Sequence, residues 1–334
     1  MTDQAARHPG AALVSVVIPM RNGGAFIGPT LASVLTQEGC ALEVVVVNDG
    51  STDGSDRTVE AVDDARVRMI AGPCEGIAAS VNAGLAAARG AYVVRCDADD
   101  LLPAGRLAWQ AAFLRAHDDY AAVCGSFRTV SDKGRPLAVM RTGDEAQEIT
   151  QELWTGKTRT HYGTFMVRRG VLNELGGVRP YFKVAEDIDL QLRIGTAHRV
   201  WYDPRQSYDY RLHGDSSTHN EPSPAREFLT ETARAFARQR AAGQDDDLDK
   251  GAPPAVPDGG GAAMDVDRHA QGMLLGEAWR HHRAGRRSAA WSAGWRACWR
   301  HPASWSAWRS FLMLWVKRSG RGLAPPRSAA GGAE

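Results

Sequence analysis

The sequence predicts an α/β protein, a Rossmann-like mixed sheet flanked by helices, with a helical tail at its C-terminal end. Three observations predict it. Short apolar, β-branched runs alternate with helix-length amphipathic segments through the first hundred residues. After residue 120 the pattern changes to paired strands and loops. A stretch rich in Gly, Pro and Asp then separates this body from an end rich in Trp and Arg.

Leu13 to Ile18 is a continuous apolar run ended by Pro19, and Phe26 to Gln37 follows with Ile27, Leu31, Val34 and Leu35 at helical spacing. Glu43 to Val47 is a second run, stopped by Asn48-Asp49-Gly50-Ser51, with Asp53 placed to cap a helix. Arg66 to Ile70 reads as a third strand. Gly76 to Arg89 is Ala-rich and helical, closed by Gly90, a residue that suits a helix end. Ala91 to Cys96 is the fourth strand, followed by Asp97-Ala98-Asp99-Asp100. Strands joined by helices of this length imply βαβ units and a parallel sheet. Further on, Ala121 to Val130, a Ser131–Gly134 turn and Pro136 to Met140 read as a hairpin, so the sheet is mixed. Thr164 to Val167 and His198 to Tyr202 are expected strands, with a helix over Glu186 to Ile194.

The implied division is a disordered N-terminus over 1–12, a folded domain over 13–238 and a flexible linker over 239–263. A helical tail over 264–320 and a disordered end over 321–334 complete it. The chain has 334 residues, 43% of them hydrophobic and 24% charged, enough to bury a sizeable core. Its net charge of +1 conceals an asymmetry. Residues 279–327 hold eleven Lys/Arg and no Asp or Glu, which leaves 29 basic against 39 acidic residues elsewhere. The acidic body carries no nucleic-acid footprint, whereas the tail suits an anionic surface. Cys40, Cys74, Cys96, Cys124 and Cys298 are scattered without a CxxC pair. They read as reduced thiols in a cytoplasmic protein, and no signal peptide or 18-residue apolar span is expected.

Ligands of an open α/β sheet bind beyond the carboxyl ends of the strands. Neither GxGxxG nor GxxxxGK[ST] stands there, so a dinucleotide fold and a P-loop are unsupported. Carboxylates stand there instead. They suit a phosphorylated ligand if a hard divalent cation lies between, since Mg²⁺ takes one or two carboxylates plus phosphate oxygens. The competing reading is that these acids cap the next helix.

Four segments in order carry a resemblance: VSVVIPMRNGGAFIGPTLASVLTQ, VVVVNDGSTDGS, GIAASVNAGLAAARGAYVVRCDADD and GGVRPYFKVAEDIDLQLR. Together they resemble the family 2 inverting glycosyltransferases of GT-A fold, over roughly residues 13 to 218. The resemblance implies a nucleotide-sugar donor, UDP- or dTDP-linked by preference, a glycan or lipid-linked acceptor, and Mn²⁺ or Mg²⁺. It places Pro19 and Arg21 at the border of the nucleotide base and Asp49 on the base imide. Asn82 would line the nucleotide pocket and Asp97 would touch ribose or sugar hydroxyls. Asp99 would hold the metal, with His213 near the metal or diphosphate, and Asp187 would be the catalytic base. Asn48 and Val81 depart from the family, which often has an aspartate and an arginine there.

The chemistry agrees with those roles. A metal on the diphosphate stabilises the charge of the leaving group, and a carboxylate on the opposite face takes the acceptor's proton, giving inversion. Two other functions compete: a sugar nucleotidyltransferase, and a non-catalytic nucleotide-sugar-binding module. Asp187 and Asp189 also suit a helix N-terminus electrostatically. His161 reads either as an acceptor contact or as a structural hydrogen bond. In the tail, Trp291, Trp295 and Trp299 share one helical side, with Arg296 and Arg300 one step round. That stripe either packs on the domain or lies peripherally on the inner face of a membrane, tryptophans at headgroup depth.

Overall fold

The computed structural model describes residues 12–140, 142–213, 223–257 and 266–316. In the first half, strands β1 (Val14–Met20), β2 (Leu42–Asn48), β3 (Val67–Ala71) and β4 (Tyr92–Arg95) alternate with helices. These are α1 (Ile27–Leu35), α2 (Ser55–Glu60) and α3 (Ile77–Ala87). There follow α4 (Arg106–Ala116), the hairpin β5 (Tyr120–Ser131) and β6 (Pro136–Met140), β7 (Gln147–Glu148) and α5 (Thr150–Trp154). The body is completed by β8 (Met166–Arg168), α6 (Arg169–Glu174), α7 (Glu186–Ala197), β9 (Arg199–Leu212) and α8 (Ser223–Ala241). The tail is α9 (Val266–Arg283), α10 (Arg287–Arg300) and α11 (Trp305–Val316).

One mixed sheet runs β3-β2-β1-β4-β8-β5-β9-β7, with β6 off this order and paired to the later part of β5, Phe127 to Val130. The pairs β1–β2, β1–β4, β2–β3 and β5–β9 are parallel, whereas β8 is antiparallel to both β4 and β5. The continuous apolar runs of β1 and β2 follow from burial on both faces. Val14, Val16, Ile18 and Met20 enter one core while Val17 enters the other, as a period of two requires. Helix α3 lies so close to β1 that a Cβ on Gly84 would come within 2.3 Å of a Val17 methyl.

Two differences from the sequence reading concern strand and linker. The strand expected over His198 to Tyr202 continues to Leu212, because register shifts opposite Gly125 and Ser126 let β9 pass Asp203-Pro204 without leaving β5. In the stretch expected to be a linker with little to bury, Asp246 is fully buried, and its carboxylate is held by Arg179 (2.7 Å) and Arg240. Arg179 comes from elsewhere in the fold and Arg240 from the last turn of α8, so composition alone gave no sign of the pairing. Residues 258–263 of that stretch and the termini 1–11 and 317–334 lie outside the described residues.

Candidate active site

The sheet order reverses at β1, flanked by β2 and β4, and a crevice at such a switch point is where an open α/β sheet takes a ligand. Four loops converge there. The loop after β1 is tied to the loop after β2: Asn22 Oδ1 accepts from the Thr52 amide (2.8 Å) and Asp53 Oδ2 from the Gly24 amide (2.8 Å). Asn22 adopts a positive φ of 56° to do so. Pro19 is buried in β1 opposite Val47, and Arg21 stands exposed on the rim. Asp49 is buried at the end of β2. Its Oδ1 accepts from the Cys74 amide (2.7 Å) and its Oδ2 from the Gly76 amide (3.2 Å), which organises the turn into α3.

The Asp97–Asp100 turn is fastened from several sides. The Thr30 hydroxyl lies 2.9 Å from the Ala98 carbonyl and 2.8 Å from that of Asp100. Arg211 donates through Nε to the Asp99 carbonyl (2.5 Å) and through Nη1 to the Asp132 carbonyl (2.7 Å). Its amide donates to Asp100 Oδ1 (2.7 Å). Asp100 is wholly buried, and burial, with Asp99 and Asp97 adding to it, pushes its carboxyl well above the usual range. It is a structural acid. Asp97 and Asp99 keep partial exposure, at 26% and 28% of their side chains.

Asp99 Oδ2 lies 2.8 Å from Nε2 of His213, and the buried Nδ1 of His213 has no hydrogen-bond partner among the described residues. One carboxylate oxygen and one imidazole nitrogen at that separation match neighbouring ligands of a small cation, which lie about 3 Å apart at metal–ligand distances of about 2.1 Å. No cluster of three or more His, Cys, Asp or Glu occurs among the described residues. The pair fits a hard cation whose other ligands would be phosphate oxygens and water.

Arg95, the last residue of β4, donates through Nε to Asp97 Oδ1 (2.8 Å) and through Nη1 to Glu186 Oε1 (2.9 Å). Burial works against its charge, but Asp97, Glu186 and Asp187 outweigh that and hold the guanidinium well above its ordinary value. The same arginine thus joins the turn after β4 to the first turn of α7. Burial raises the Asp187 carboxyl above the usual carboxylate range; Arg95 pulls it down and Asp97 pushes it further up. Asp187 is half-buried, whereas Asp189 is fully buried and ion-paired to Arg193 (2.9 Å) and to Arg179. The two acids therefore differ in burial, with Asp189 belonging to the core.

Asn82 is used in a way the sequence did not suggest, and His161 makes the structural hydrogen bond that was one of its two readings. Both ends of the Asn82 amide are spent on the Val178 backbone, each at 2.8 Å, so its influence on the pocket runs through the Gly176–Val178 turn. His161 accepts from the Gly163 amide at Nδ1 (3.1 Å) and stacks on Tyr208 at 5.3 Å, while burial lowers its pKa and favours the neutral ring. Arg95 and Arg211 were missed. A lone arginine ending the apolar strand Tyr-Val-Val-Arg was the available signal for the first.

The layout of this sheet and cleft is that of the GT-A glycosyltransferases. The S. aureus TarS 1–349 structure in complex with UDP-GlcNAc shares it with a TM-score of 0.58 at 18% identity, covering 90% of this chain and 79% of that one. A mannosyltransferase from Pyrobaculum calidifontis, in complex with GDP-Man and Mn²⁺, gives 0.52 at 22% identity, covering 92% and 80%. At such identities these likenesses show the fold. In sequence, the model of "Glycosyl transferase family 2" matches residues 15–176. Chondroitin synthase of Pasteurella multocida (strain Pm70) is 29% identical over 209 residues, 62% of this chain. The chain spans 21% of the length of that relative. Residues 15–176, a little under half of the chain, thus form a region of glycosyltransferase family 2 type.

Proposed function

We propose that the protein transfers one sugar, with inversion, from a nucleoside-diphosphate sugar to an acceptor hydroxyl in the assembly of a surface polysaccharide or glycolipid. The observation that carries this reading is the Arg95 bridge. It joins Asp97, in the turn after β4, to Glu186, the chain neighbour of the half-buried Asp187 at the start of α7.

In this reading Pro19, Arg21 and Asp49 border the base; Asp49 keeps lone pairs beyond the two amides it already accepts from. Asp97 meets ribose or sugar hydroxyls. Asp99 and His213 would hold the Mn²⁺ or Mg²⁺, whose contribution there would be to offset the charge of the departing diphosphate. Asp187 accepts the proton of the acceptor hydroxyl as its oxygen bonds to the anomeric carbon and the bond to the diphosphate breaks. A carboxyl pushed above its ordinary range is the stronger base for that step. A UDP- or dTDP-sugar is the donor class favoured. The acceptor is a glycan or a lipid-linked glycan, and the site of action is the cytoplasmic side of a membrane. The polysaccharide context is supported by the chondroitin synthase likeness.

The test is Asp187→Asn with calorimetry and turnover in parallel. Donor and metal binding should stay within about two-fold while transfer falls roughly 10²–10⁴-fold, the scale of a lost general base. Unchanged turnover would remove Asp187 from the mechanism. Loss of donor binding along with rate would assign it to the donor site instead.

A further inference from the structure

We propose that the outward face of α10 and α11 is a docking surface for an anionic lipid bilayer. The sequence placed Trp291, Trp295 and Trp299 on one stripe, but the fold divides them. Trp291 is half-buried, its ring 4.9 Å from Phe311 and 3.9 Å from Trp315. Trp295 and Trp299 face outward, 5.7 Å apart, and are joined there by Trp305, Leu312, Trp315 and Val316 of α11. Four of these six, Trp299, Trp305, Trp315 and Val316, are 59%, 75%, 65% and 75% exposed.

This face does not hold the tail to the body. The opposite faces do: Ala278, Ala293, Cys298, Ala307, Phe311 and Leu314 form the small core between the three helices. Ala138 of β6 packs with Leu274 and Ala297, and Arg280 and Arg296 donate to the carbonyls of Val139 (2.6 Å) and Leu137 (2.7 Å). The inward indoles are satisfied within the tail, Trp279 by Ser310 Oγ and Trp308 by the Pro302 carbonyl, each at 2.9 Å. Trp295 and Trp315 keep one edge on Phe311 and Trp291, whereas most of the surface of Trp299 and Trp305, 59% and 75% exposed, is left over after the tail has folded.

Charge selects the occupant. Residues 279–316 contain seven arginines and no acid, and Arg283, Arg286, Arg287 and Arg309 are exposed. Arg309 lies between Trp305 and Leu312 at helical spacing, so a cation sits inside the apolar stripe and not only at its edge. Indole and guanidinium side by side, with no acid among residues 279–316 to oppose them, match a headgroup layer of negative potential. No helix of the described residues is long and apolar enough to cross a membrane, so the mode is interfacial. The surface is also fixed relative to the cleft. The tail grips β6, and the turn joining β6 to β5 is held at the Asp132 carbonyl by Arg211, which also holds the Asp99 carbonyl. That the bilayer presents a lipid-linked acceptor rests on the transferase reading; the binding itself does not.

The test is sedimentation of the full chain with phosphatidylcholine vesicles, with and without phosphatidylglycerol, at low and high salt. Partition should require phosphatidylglycerol and vanish at high salt. Replacing Trp299, Trp305 and Trp315 by Ser should abolish it, and each of Arg283→Gln, Arg287→Gln and Arg309→Gln should weaken it about five-fold. Donor hydrolysis by water should be unchanged in all of them, which separates a lost surface from a lost fold. Wild-type protein that ignores the mixed vesicles at low salt, or a Trp variant that still binds them, overturns the proposal. So does lipid-free dimerisation that the Trp variant abolishes, since the face would then belong to a second copy. Hydrolysis absent in the wild type would count against the transferase reading and leave the vesicle result standing.

Discussion

Arg95→Met severs the turn after β4 from the start of α7 and should be felt in two independent readouts. The arginine side chain is 12% exposed and its partners Glu186 and Asp97 are 8% and 26% exposed. Breaking a buried ion pair from one side costs about 3–5 kcal/mol, because a charge is left without compensation. Here the lower end applies. Glu186, already raised by burial and freed of Arg95, can take a proton, and Asp97 can be hydrated through the cleft. About 3 kcal/mol in a domain of this size lowers Tm by roughly 6–12 °C. The second readout is the pH profile of transfer. Arg95 lowers the Asp187 carboxyl against the pull of burial, so its removal moves Asp187 further above the ordinary range. The base works only when deprotonated, so rate is lost as pH falls through its pKa, and the acid limb of the profile should move to higher pH. Scanning calorimetry and initial rates across pH measure both, with Arg95→Lys keeping the positive charge but losing the planar fork that reaches both partners. An unchanged Tm together with an unmoved acid limb would refute the bridge.

Asp189→Asn should behave as the mirror of Asp187→Asn. It leaves Arg179 and Arg193 facing a neutral group in the core, so Tm should fall by about 6–20 °C while turnover measured well below Tm is retained. A variant that loses rate but no stability would exchange the roles of the two acids. Asp99→Ala should weaken Mn²⁺-dependent donor binding and cost about 10²-fold or more in transfer. Metal-independent binding of the nucleotide should change little; donor affinity that is indifferent to both Mn²⁺ and Asp99 would exclude the proposed metal pair.

The first half of the molecule was legible because its information is local. The runs Leu13 to Ile18 and Glu43 to Val47 are apolar without a break, and such short runs between helical segments have few uses other than strands buried on both faces. Asp97 to Asp99 stood where the fourth strand ends, and the structure keeps both partly exposed beside the switch point. The hairpin after Tyr120 was equally local, since its turn is only a few residues long.

Pairings over long separations were not legible. Nothing near Arg95 announces Glu186, 91 residues away, and nothing near Asp246 announces Arg179. Asp187 and Asp189 look alike in sequence, yet two residues along a helix differ by about 200° in direction. Which of them meets the cleft depends on what α7 packs against. The tryptophan stripe obeyed the same limit: periodicity aligned Trp291 with Trp295 and Trp299, and α11 then covered the first while adding its own aromatics to the others. By itself the sequence determined the strand order of chemistry: a parallel half with acids at its strand ends and a basic, aromatic tail. Only the tertiary structure decided which acid is buried, which is bridged and which face is left to solvent, because those outcomes depend on neighbours far away along the chain.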